Sequence, residues 1–147
     1  MDWIYQGLKF NPDEPFTYEK YGKEWYGFVY VITNRALNKK YIGKKFFWSK
    51  KTLPPLKGKK RKRRSIIESN WRDYYGSSAN LMEDVETQGK DMFHREIVYL
   101  GKGKGDLAYM EAKLQFENEV LLRDDYYNGI INIRLGGNSV KALKSEK

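Results

Sequence analysis

Two hydrophobic periods alternate along the chain. Tyr26 to Thr33 (YGFVYVIT) is β-branched or aromatic at consecutive positions, which predicts a strand buried on both faces. Asn34 to Asn38 is a turn, and Lys39 to Phe46 (KKYIGKKF) reads as a second strand closing a hairpin. Ser69 predicts the cap of a short helix over 70–75, stopped by Gly76; Ser77 or Ser78 caps another over 79–88, stopped by Gly89. Phe93 to Leu100 is a third strand. After a turn from Gly101 to Gly105, Asp106 caps a longer helix from Leu107 towards Leu122, and Tyr126 to Arg134 is extended. The order implies an α+β domain, a small mixed or antiparallel three-stranded sheet flanked by helices.

Residues 1–25 are rich in rings (Trp3, Tyr5, Phe10, Phe16, Tyr18, Tyr21, Trp25) and broken by Pro12 and Pro15. They read as an irregular arm that packs its rings onto the domain itself or onto a second subunit. The domain proper spans 26–134, with a basic insertion at 44–68 and a basic tail at 135–147. Ser49 to Arg64, with Pro54, Pro55 and Gly58, is expected to be a loop.

Composition narrows the chemistry. A length of 147 residues, 40% of them hydrophobic, suits one domain with one core. With no cysteine and one histidine, His94, the chain has no disulfide, thiolate zinc site or cysteine nucleophile. No apolar run approaches the ~18 residues of a membrane span, and no signal-peptide core opens the chain, so no membrane contact and a cytoplasmic location are expected. The net charge of +9 is local: Lys39 to Arg64 holds thirteen basic residues and no acid, leaving 15 basic against 19 acidic elsewhere. Such a block on a mildly acidic body reads as a grip on a polyanion, foremost nucleic acid. Its candidate contacts are Lys44, Lys45, Lys50, Lys51, Lys59, Lys60, Arg61, Lys62, Arg63 and Arg64.

Two features of the strands and long helix stand out. If Tyr30 pairs opposite Tyr41, both phenols emerge side by side on one sheet face, with Lys44 and Lys45 just beyond. On the helix, Leu107, Glu111, Leu114 and Leu121 share one stripe, so Glu111 sits on an apolar, core-facing line. A carboxylate there loses hydration unless it is compensated, either by an arginine or by a divalent cation. The cation is favoured because Glu111 would face the sheet that carries the two tyrosines, and Mg²⁺ accepts a single carboxylate together with waters and phosphate oxygens.

Phe28-Val29-Tyr30 followed by Tyr41-Ile42-Gly43, then Gly89, Phe93, Glu111 and Tyr127-Asn128, resembles in order the signature of the GIY-YIG nucleases. The Trp71-x-x-Tyr74-x-Gly76-Ser77-Ser78 stretch is similar to a phage-encoded, free-standing homing-type subset, which would place the protein in the cytoplasm of a bacterial host. The resemblance implies a Mg²⁺- or Mn²⁺-dependent DNA endonuclease. Tyr30 would activate or orient the attacking water, Tyr41 would share that network or contact the phosphate, Glu111 would bind the metal, and Asn128 would brace the site. The chain departs from the pattern in two places. Gly27 lies three residues before Tyr30, and Lys50 and Lys51 stand where the family carries its catalytic arginine. Arg72 is the first replacement candidate and Arg64 the next. A double-strand break would require a second subunit, as in a homodimer, or a second visit. The alternatives are a catalytically inactive nucleic-acid-binding protein on the same scaffold, or a nuclease acting on RNA or branched DNA.

Other signals carry less. Glu111-x-Lys113 lies on a helix, where i and i+2 diverge. The glycines at 101, 103 and 105 lack the lysine of a phosphate-binding loop. Tyr74 to Ser78 reads as a helix stop followed by a cap, and His94 as an ordinary strand residue.

Overall fold

A computed structural model describes residues 2–144. In chain order the strands are β1 (Trp3–Tyr5), β2 (Leu8–Lys9), β3 (Gly27–Asn34), β4 (Lys39–Phe46), β5 (Trp48–Leu53), β6 (Arg63–Glu68) and β7 (Phe93–Gly101). The helices are α1 (Tyr18–Tyr21), α2 (Ala79–Gln88) and α3 (Lys104–Glu117), joined by short 3-10 turns. The five-stranded main sheet runs β2-β1-β7-β3-β4, and β5-β6 form a separate ribbon. The architecture is α+β, as the sequence predicts. The three expected strands are neighbours in the sheet, β7 and β3 inside it and β4 at one edge. The expected irregular arm instead contributes β1, parallel to β7, and β2, antiparallel to β1.

Alternation along β3 sends Phe28, Tyr30 and Ile32 to one face and Val29 and Val31 to the other. The first face is covered by α2, through Leu81 and Val85, and by the aromatic N-terminal segment with Phe47, Trp48 and Trp71. The second is covered by α3, where Leu107 packs with Val29, Ile42 and Val120. Trp3 sits between the arm and the sheet: its ring meets Phe28 at 4.8 Å and Tyr30 at 5.3 Å between centroids. Its indole N–H donates to the Trp71 carbonyl at 2.7 Å.

Several local expectations are corrected. The 49–64 segment is a loop only over 54–62: its flanks pair as β5-β6, with Trp48 opposite Glu68 and Leu53 opposite Arg63. Over 70–75 there is a single 3-10 turn, Trp71–Asp73, preceded by Asn70 rather than capped by Ser69. Asp106 lies in the first turn of α3, accepting from the Lys102 and Gly103 amides at 2.9 Å each. This helix ends at Glu117, so Leu121 lies beyond it and is exposed, while Val120 takes the buried place. Residues 126–134 form only one bridge, Tyr126 with Lys40. The tail turns back onto α3 in a 3-10 segment, Gly137–Leu143; its last residues, 145–147, lie outside the described ones.

If the N-terminal segment is part of the fold, Trp3→Ala should lower unfolding free energy by about 3–5 kcal/mol in urea titration, the range for a buried large aromatic. A change below about 1 kcal/mol would make the segment an appendage.

Candidate active site

The site is built on β4, one of the two outer strands of the sheet. Its hairpin with β3 pairs Tyr30 with Gly43 and Ile32 with Tyr41, a register two residues away from a direct Tyr30–Tyr41 pair. A shift of two preserves the face, so both rings do emerge together, 6.2 Å apart between centroids. The turn sets the register. Asn34 is fully buried, and its side-chain carbonyl accepts from the Ala36 and Leu37 amides at 3.0 and 3.3 Å. Asn38 closes the four-residue loop in the left-handed region (φ +52°), which asparagine tolerates.

Gly43 makes room for Tyr30. A Cβ there would lie 2.5 Å from the Tyr30 hydroxyl and 2.7 Å from its Cζ, so the phenol occupies the space a side chain would take. Tyr30 is 1% exposed. Burial, then the neighbouring Tyr74 and Tyr41, push its phenol well above the ordinary tyrosine value. Tyr41 is raised too, chiefly by burial, with its 2.9 Å hydrogen bond to the Ser77 hydroxyl acting the other way. Both phenols are therefore neutral near pH 7.

Glu111 reaches the same place from the other side. α3 packs on the sheet that carries the tyrosines, as expected, but on the face opposite to them. The Glu111 carboxylate arrives at the open edge of β4 and lines the same cavity of about 660 Å³ as Tyr30, Tyr41, Lys44 and Lys45. Its charge is felt at both phenols. With 15% of its side chain exposed, Glu111 is paired by Lys44, whose Nζ lies 3.1 Å from Oε1. The compensator in the structure is thus a lysine, not the arginine considered from the sequence. Lys45 lies 4.2 Å over the Tyr74 ring on the tyrosine face, its ammonium pKa lowered by burial.

Asn128 braces the strand. Its side chain accepts from the Ile42 amide at 3.0 Å and donates to the Ile42 carbonyl at 2.8 Å, where a neighbouring strand would otherwise pair. From α3, Gln115 donates to the same carbonyl at 3.0 Å. Tyr127 anchors the segment behind: its hydroxyl donates to Asp84 at 2.6 Å and accepts from Asn34 at 3.0 Å. Burial and the Asp84 carboxylate push the Tyr127 phenol up to about 12.

Arg72 is not brought to this cavity. Its guanidinium pairs with Glu68 at 2.7 Å and Glu14 at 3.6 Å, lies over Trp71, and lines a different hollow beside Asp2 and Trp3. No helix carries it inward, because 70–75 makes only the one 3-10 turn. Arg64 is exposed on β6, outside the cavity. The cations that line it are Lys44 and Lys45.

Several participants went unrecognised in the sequence. Tyr74 meets Tyr30 edge-on at 6.0 Å between centroids and contributes to raising its phenol. Ser77 holds Tyr41, Ser78 caps α2, and Gly76 (φ +93°) packs its backbone beside Leu81 and Tyr41. The segment read as stop and cap is therefore also part of the site. The buried Arg95 fixes it, donating to the Arg72 and Tyr74 carbonyls at 3.0 and 2.9 Å. Two signals were available: Arg95 alternates with the apolar Phe93 and Ile97, and Gln115 stands one helical turn after Glu111.

A hairpin that stacks two phenols over a glycine, beside a single helical carboxylate and an asparagine that pairs with the edge strand, defines a GIY-YIG-type domain. Residues 3–131 match the family described as "Putative endonuclease segE, GIY-YIG domain", and the chain belongs to that family of endonuclease domains. Comparison with curated proteins and with solved structures gave no match.

Gly43→Ala should force the Tyr30 ring aside at a cost of about 1–3 kcal/mol, the range for overpacking. In a Tyr30→Ala background the same change should cost much less when unfolding is followed in urea. Equal costs in both backgrounds would mean that the ring is not what requires the glycine.

Proposed function

We propose that the protein is a divalent-metal-dependent DNA endonuclease that hydrolyses phosphodiester bonds in the Tyr30–Tyr41–Glu111 cavity. The observation that carries this reading is the convergence, at one open strand edge, of two neutral phenols, two lysines and one partly buried carboxylate. Membership in an endonuclease family supports the hydrolytic class.

Among the described residues no cluster of three or more His, Asp or Glu side chains could cage an ion. The donor set instead suits a hard cation held by one carboxylate, with water and substrate oxygens completing its shell. Glu111 would hold Mg²⁺ or Mn²⁺. The other carboxylate lining the cavity, Glu68, is engaged by Trp71 and Arg72. When bound, the ion supplies Lewis-acid polarisation of the phosphoryl group.

The chain's own groups do the rest. Tyr30 keeps its proton, so it serves as a hydrogen-bond donor that orients the attacking water or a phosphate oxygen rather than as a phenolate base. Tyr41, steered by Ser77, completes that network. Lys44 turns from Glu111 to the phosphate as substrate arrives, and Lys45 approaches from the tyrosine face; together they take over the charge neutralisation assigned to an arginine. Asn128 and Gln115 hold Ile42 and act on the reaction only by positioning β4. One such cavity cuts one strand, so a double-strand break needs a homodimer or a second encounter.

Supercoiled plasmid should be nicked in Mg²⁺ and left intact in EDTA, with Glu111→Gln lowering the rate at least about a hundredfold and Tyr30→Phe by about ten- to a hundredfold. DNA binding without nicking by the wild-type chain would overturn the nuclease reading in favour of a binding module.

A further inference from the structure

The β5-β6 ribbon is anchored beside the cavity and free beyond it. At its root, Trp48 stacks on Phe16 at 4.7 Å, the Ser69 hydroxyl donates to the Phe46 carbonyl at 2.6 Å, and Ser49, Ile67 and Glu68 line the cavity wall. Further out, the two strands pair only with each other. Their side chains are almost all exposed from Lys50 to Ile67, and no acidic residue lies between Ser49 and Ile67.

We infer that this ribbon is a reading arm that enters the major groove of duplex DNA and so fixes where the cavity cuts. Three observations carry it. First, a two-stranded ribbon matches the ~12 Å major groove of B-form DNA. Six paired residues per strand reach about 20 Å before the tip, or about six base pairs. Second, alternation puts Lys50 and Arg64 on one face and Lys51 and Arg63 on the other, because Lys50 is paired with Ile66 and Leu53 with Arg63. Cations on both faces serve an element lying between two phosphate walls. A surface patch resting on one strand would need only one. Third, Ile66 and Ile67 are 40% and 43% exposed, one on each face, among these charges. Methylated base edges in the groove offer them apolar contact.

The basic tip at 59–62 then reaches the far end of the contact, while the root holds the near phosphate at the catalytic cavity. Duplex RNA is excluded by the same geometry, since its deep, narrow major groove does not admit the ribbon.

The inference rests on the nuclease reading for its connection to cleavage, but it is tested by binding. The full chain is mixed in EDTA with a short DNA duplex, an RNA duplex of the same sequence and the DNA single strand. Guanine N7 protection from dimethyl sulfate is then mapped on the DNA duplex, and nicking in Mg²⁺ is measured in parallel. Expected are at least about tenfold tighter binding to the DNA duplex than to either alternative, and N7 protection within about six base pairs of the nick. The exposed changes Lys51→Ala and Arg63→Ala should each lower the salt slope of binding by about one and remove protections without altering the circular dichroism spectrum. Equal binding to all three polymers, or protection of minor-groove adenine N3 alone, overturns the arm. Nicking without N7 protection overturns it too while leaving the nuclease intact. N7 protection without nicking upholds the arm and removes the nuclease.

Discussion

The edge of β4 is the constraint on which the site depends. An outer strand exposes amide and carbonyl groups that must be satisfied by something other than a partner strand. At Ile42 the partners are two side-chain amides, Asn128 from the C-terminal segment and Gln115 from α3. Those three hydrogen bonds tie two distant stretches of chain to one residue. Ile42 lies between Tyr41 and Gly43, so whatever fixes it also fixes one phenol and the glycine under the other. Losing the Asn128 amide would leave a buried Ile42 amide without its acceptor, a penalty of about 1–3 kcal/mol placed at the active edge.

The same edge explains how groups from opposite sheet faces meet. Tyr30 passes over the bare Gly43 backbone, while Glu111 arrives from the helix layer on the other side. Lys44 and Lys45, consecutive and therefore pointing to opposite faces, serve the two halves: one pairs Glu111, the other rides on Tyr74. Burial keeps the phenols protonated, so charge at the site belongs to the lysines and the carboxylate. In the proposed reaction, substrate phosphate and a divalent cation would each substitute for one member of the Lys44–Glu111 pair.

Much of this was legible in the sequence. Strong β-branched and aromatic runs located the central strands, and serine and glycine signals located α2 with Ser78 as its cap. The tyrosine pair could be placed on one face because strand periodicity survives a two-residue register error. The arm was missed because β1 and β2 are three and two residues long, and their stability comes from Trp3 packing on the sheet rather than from propensity. The basic hairpin was missed because lysine and proline hide the pairing of its flanks. Arg72 was misplaced by assuming a helix where a single turn forms. For Glu111 the sequence pointed to the sheet but not to the face it meets, since a helical stripe says which residues turn inward and not which layer they reach.

In the proposed function Glu111, Tyr30 and Tyr41 share one ion-binding space around the edge of β4. Paramagnetic Mn²⁺ added to the full chain with uncleavable DNA, with NMR signals assigned, probes that space. Selective broadening of the Tyr30 and Tyr41 ring protons and the Lys44 side chain is expected, abolished in Glu111→Gln. Broadening centred elsewhere, or unchanged by loss of the carboxylate, would contradict it.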